Sequence, residues 1–136
     1  MKKAVFILMV VFATSLSFSQ EAQKTIDSKL VGCWKGSEID QQQKGVTKYW
    51  VACRFEDGKS TLLFISIDKK GKVSQFTENG KWWVENGKYY ELHSYDGVID
   101  IYDYEVIDNS IKFTGVDVLG DTNTKYSFYD YKIDED

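Results

Sequence analysis

Three dipeptides constrain this chain more than anything else in it: Asp57-Gly58, Asn86-Gly87 and Asp96-Gly97, each set between runs of β-branched and aromatic residues. Such a pair suits the tight type I′ turn, whose two central residues both need φ > 0, and that turn joins adjacent antiparallel strands. Asp108-Asn109 is a weaker version of the same signal. The runs span residues 30–40, 46–56, 59–67, 73–77, 81–85, 88–95, 98–107, 110–118 and 124–133 and read as strands. Every connection is short, so neighbours in sequence are neighbours in the sheet, with no room for crossover helices. A meander this long curls, and closing its first strand on its last removes both exposed edges. Antiparallel closure needs an even count, whereas nine runs are present. Joining 73–77 to 81–85 through a glycine bulge at Asn79-Gly80 gives eight. The expected fold is all-β, an eight-stranded antiparallel up-and-down barrel over residues 30–136, preceded by a short polar arm, 20–29.

Ahead of the arm, Lys2 and Lys3 precede a mostly apolar stretch from Ala4 to Phe18, and Ser17-Phe18-Ser19 has the small-x-small cleavage pattern. Residues 1–19 read as a secretory signal peptide cut before Gln20, too short and wrongly flanked for a retained span. No other apolar run approaches the roughly 18 residues a membrane helix needs. The expected location is the periplasm or the extracellular medium. Loss of residues 1–19 leaves 117 of the 136 residues, one domain's worth, with 15 basic against 21 acidic side chains. No basic stripe remains, which argues against nucleic acid as a partner.

The two cysteines, Cys33 and Cys53, belong to an exported and therefore oxidisable chain. They fall directly opposite one another if the first hairpin loop is centred on Gln43, a position from which a cross-strand disulfide is feasible. Leu30-Val31-Gly32-Cys33 also spells a lipobox, but the charged stretch 21–29 separates it from the apolar segment. The same register sets Trp34 opposite Ala52 and Trp50 opposite Gly36. Both tryptophans then point inward, with Thr61, Leu63, Ile65 and Ile67 continuing that face if Asp57-Gly58 is a two-residue turn.

Alternation sorts the later strands. With Asn86-Gly87, Asp96-Gly97 and Asp108-Asn109 as two-residue turns, one face holds Trp82, Val84, Tyr89, Glu91, His93, Tyr95, Val98, Asp100, Tyr102, Tyr104, Val106, Ile111 and Phe113. The other carries Trp83, Tyr90, Leu92, Ile99, Ile101 and most of the charge. The ring-rich face without lysine is taken as the inside. On it His93 stands opposite Asp100, and a one-residue slip in any turn would reverse a strand.

Leu30-Val31-Gly32-Cys33-Trp34, opening the first strand of such a meander, resembles the Gly-x-Trp start of lipocalins, closest to small secreted bacterial lipocalin-like proteins. Gly80-Lys81-Trp82 is similar to the mid-chain Gly-x-Trp of those barrels. The resemblance implies a barrel that holds a small ligand, with Trp34 packed at the closed end. It also implies a basic residue of the last strand over that ring, for which Lys132 is the candidate.

The candidate site is the polar group Glu91, His93, Asp100 and Tyr102, orienting the polar end of a small apolar or amphipathic ligand. Trp82, Tyr89, Tyr104 and Phe113 would hold the ligand's apolar body. The plainer reading is that the acids and His93 satisfy one another at a barrel mouth. No serine or cysteine is arranged with His93 as a nucleophile, so no enzyme is expected. One histidine and no ligand-spaced cysteines give no metal site, and no phosphate loop or other cofactor signal occurs. The competing function is a protein-binding or inhibitory module with a filled barrel, contacting its partner through an outer stripe of Trp83, Tyr90, Leu92 and Ile101.

Overall fold

The computed structural model describes residues 21–134; the expected signal peptide lies outside the described residues. Eight strands, β1 (Gly32–Ile39), β2 (Thr47–Arg54), β3 (Lys59–Ile67), β4 (Val73–Glu85), β5 (Lys88–His93), β6 (Ile99–Ile107), β7 (Ser110–Asp117) and β8 (Ser127–Lys132), follow one another around a closed antiparallel barrel. Strand β8 returns to β1, with Trp34 opposite Lys132 and Lys35 opposite Tyr131. The expected barrel and its strand count are borne out. Residues 73–85 form one strand, but without a bulge, since the pairing with β3 runs unbroken through Gly80. Glycine is needed there for a different reason: a Cβ at Gly80 would lie 2.5 Å from the Leu92 carbonyl oxygen.

Turn chemistry decides which expected registers hold. At Asn86-Gly87 both residues have positive φ (51° and 71°), and the two-residue turn sets Val84 opposite Tyr89 and Trp82 opposite Glu91, as expected. At Asp57-Gly58 only Gly58 is left-handed. The loop takes in Glu56 as well, closing with Phe55 N–H on Lys59 O (2.9 Å). That one-residue slip turns Thr61, Leu63, Ile65 and Ile67 outward, correcting the expected stripe, and sends Ser60, Leu62, Phe64 and Ser66 to the face shared by Trp50, Ala52 and Arg54. At Asp96-Gly97 a four-residue loop closes with His93 N–H on Val98 O (2.9 Å). Glu91 therefore faces Asp100 and Tyr89 faces Tyr102, a shift of two that keeps each side chain on its face. Tyr95 leaves the inner face altogether and is 92% exposed in the loop.

One end of the barrel is plugged. Leu30, Trp34, Trp82, Tyr89, Ile111 and Phe113 are each at most 1% exposed, and Tyr102 and Val118 pack with them. Burying each large side chain contributes about 2–3 kcal/mol. The indole donors inside the plug are satisfied, Trp34 Nε1–H by Leu30 O (3.0 Å) and Trp82 Nε1–H by Phe55 O (3.1 Å). The arm forms the lid beneath. Thr25 and Val84 exchange backbone bonds of 2.8 Å, and Asp27 accepts from Lys29 N–H at the head of the 3-10 turn Ser28–Leu30. Leu30 is thereby driven into the core. Lys24 Nζ lies 4.1 Å from the Trp83 ring centroid, and Trp83, stacked on Tyr90, is only 9% exposed. The expected outer stripe is thus covered by Lys24 at Trp83, one end of the row Trp83–Tyr90–Ile101.

Cys33 and Cys53 are bonded. Cys33 O accepts from Ile133 N–H (3.0 Å), so its polar groups point to β8 and the cysteine pair is a non-hydrogen-bonded one, where side chains approach closest. Their neighbours Trp34 and Ala52 are buried, so the bridge lies on the outer wall. Cross-linking residues 20 apart removes denatured-state entropy worth about 3 kcal/mol. A Cys33→Ser/Cys53→Ser chain is expected to lose that amount in urea denaturation. A loss below about 1 kcal/mol would show that the bridge restrains nothing the unfolded hairpin samples.

Candidate functional site

Above the plug the barrel is open. A cavity of about 730 Å³ runs from Arg54 and Asp130 at its floor to Gln42, Phe76, Tyr95 and Leu119 at the rim. Trp50 crosses its wall, and Gly36 opposite makes room for it: a Cβ there would sit 2.4 Å from the indole. Leu62, Phe64, Tyr126 and Phe128 supply the remaining apolar surface.

The floor is a buried ion pair. Arg54 Nη2 and Asp130 Oδ2 are 2.8 Å apart, with side chains 3% and 0% exposed. Trp50 Nε1–H donates to Asp130 Oδ1 (2.8 Å), and Arg54 Nε–H donates to Tyr89 Oη (3.0 Å). The guanidinium also stands over the Tyr89 and Phe113 rings, about 5 Å from each centroid. Burial opposes its charge, but Tyr89, Asp130 and Glu91 outweigh that and hold Arg54 protonated.

Toward the mouth, His93 bridges two carboxylates, Nδ1 to Glu78 Oε1 (2.7 Å) and Nε2 to Asp100 Oδ2 (3.0 Å). Asp100 Oδ1 also accepts from Leu119 N–H (2.8 Å), tying the β7–β8 loop to the wall. The Asp100 bond, with help from Glu91 and Glu78 and against burial, raises the His93 pKa from 6.5 to about 9. His93 is therefore an imidazolium at neutral pH, with both nitrogens donating and no lone pair free to take a proton. Among the described residues no three His, Cys, Asp or Glu side chains converge as a metal site requires.

A histidine whose folded pKa is raised contributes stability that is complete below its unfolded pKa and lost as pH climbs through the folded one. His93→Gln is expected to cost about 2–3 kcal/mol at pH 6 and progressively less between pH 6.5 and 9. Denaturation curves at pH 6 and 9.5 check this; an equal cost at both would assign the effect to packing alone.

The expected site residues divide in two. Glu91, His93, Asp100 and Tyr102 line the cavity, and His93 meets Asp100 although their backbones are not paired. Trp82, Tyr89 and Phe113 face inward but lie in the plug, and Tyr104 donates from its hydroxyl to Asp27 Oδ2 (2.8 Å) at the closed end. Those four are not cavity walls. Arg54, the sole arginine of the chain, and Asp130 were not among the expected residues. Arg54 was within reach of the argument: with Trp50 inward, alternation carries Ala52 and Arg54 to the same face. No family model, curated protein or solved structure matches this sequence.

Proposed function

We propose that this protein is an exported, lipocalin-like binding protein that carries a small amphipathic molecule in its barrel and catalyses nothing. The observation that carries the reading is the cavity: about 730 Å³, within the range of ligand sites, with apolar and aromatic walls and a few fixed polar groups. The disulfide is in keeping with export. The kinship with lipocalins is supported at the closed end, where Lys132 Nζ lies 5.6 Å from the ring centroid of the buried Trp34. A filled scaffold working through its outer face is less well supported, because the plug occupies one end only and Trp83 lies under Lys24.

Native mass spectrometry of the protein isolated from its own host, without detergent, tests the proposal. A bound mass that disappears on denaturation is expected, and Leu62→Trp, which fills the cavity from β3, should abolish it while the fold persists. A bare mass for the wild type, together with no uptake of added amphiphiles, would overturn the reading.

A further inference from the structure

The cavity floor contains a donor with no acceptor. Arg54 uses Nε on Tyr89 and Nη2 on Asp130, while Nη1, equally buried, has no hydrogen-bond partner among the described residues. A buried donor left unmatched costs about 1–3 kcal/mol, more when charged, so an acceptor placed there would be strongly favoured. Glu91 follows Tyr89 by two residues on the same face of β5, lines the same cavity and acts electrostatically on Arg54.

The charges around this corner restrict what can fill it. Arg54 is already neutralised by Asp130 at 2.8 Å. A second anion would therefore meet Asp130 and Glu91 with no spare positive charge. An ammonium could meet Glu91 but has no acceptor to offer, so it would leave Arg54 Nη1 unmatched. What remains is an uncharged group that accepts on one side and donates on the other. Resting on the ligand-binding reading above, we propose that the cavity floor recognises an amide-type head group. Its carbonyl oxygen would accept from Arg54 Nη1 and its N–H would donate to Glu91, while its apolar chain runs up the cavity past Trp50, Phe64 and Phe128. Burial, with Asp100 and Asp130, raises the Glu91 pKa above the usual carboxylate value although Arg54 and His93 pull it down, so a donor from the ligand would stabilise the ionised form that burial opposes.

Calorimetric titration at pH 7 with three probes of one chain length, decanamide, decanoate and decylammonium, separates the head group from the chain. After bound material has been stripped from the protein, decanamide is expected to bind at least about tenfold more tightly than either charged probe. In Glu91→Gln the carboxamide can itself donate to a ligand oxygen and one negative charge is gone. Decanoate should then tighten about tenfold and the preference for the amide should shrink. Equal affinities for the three probes, or a charged probe binding most tightly, would overturn the head-group assignment and leave the binding function standing. Binding of none of them, where Leu62→Trp also changes nothing, would overturn both.

Discussion

Asp130→Ala is expected to destabilise the barrel by about 3–5 kcal/mol, the largest effect of any substitution in the cavity. The carboxylate is 0% exposed and holds two groups at once, Arg54 at 2.8 Å and the Trp50 indole N–H at 2.8 Å. Removing it leaves a guanidinium that is 3% exposed and cannot shed its proton, together with an orphaned indole donor. The pair itself is worth far less than its rupture, because two charges had to be desolvated to make it. Arg54→Met combined with Asp130→Leu should therefore recover most of the lost stability, leaving mainly the Trp50 donor unmatched. Urea denaturation of Arg54→Met, Asp130→Leu and the double variant forms the cycle. A double variant as unstable as the sum of the singles would mean the two side chains act independently.

Phe113→Ala should cost a similar amount, about 3–5 kcal/mol, by opening a hole in the plug. The ring is 0% exposed, with centroids 5.0 Å from those of Tyr89 and Phe128 and 5.9 Å from that of Tyr102. Phe64→Ala makes the contrast. Phe64 is half-buried on the cavity wall, so its loss should cost under about 1.5 kcal/mol in stability while weakening the ligand binding proposed above. Thermal unfolding of both variants decides between these roles. A Phe113→Ala chain as stable as the wild type would return that ring to the cavity lining, where the inward-facing pattern alone had put it.

That contrast marks how far the sequence could be read. Strand count, meander order, the Cys33–Cys53 pairing and the inward direction of Trp34, Trp50, Trp82 and Tyr89 all followed from turns and alternation. Alternation specifies a face and says nothing of height along the barrel axis. Height depends on strand stagger and on where the arm docks, so Trp82, Tyr89, Tyr104 and Phe113 were assigned to a cavity whose floor begins above them. The other misreading came from treating every Asp-Gly as one kind of turn. Asn86 takes positive φ beside Gly87, whereas Asp57 and Asp96 do not. The resulting one-residue difference at Asp57-Gly58 exchanged the two faces of β3 and concealed Leu62 and Phe64 as wall residues. Arg54 and Asp130 lie 76 residues apart, and nothing local in the chain announces that pairing.

The return of β8 to β1 has a kinetic consequence. Seven of the eight strand pairings join segments adjacent in the chain and can form as local hairpins within microseconds. The eighth must bring Trp34 to Lys132 across nearly the whole domain, for only two paired positions and the Ile133 to Cys33 bond. Closing a loop of that length costs roughly 4 kcal/mol in chain entropy before any contact repays it. The disulfide does little to lower that cost, since it ties β1 to β2 and not to β8. The slow step of folding is therefore expected to be the shutting of this seam, and the cavity exists only once it is shut.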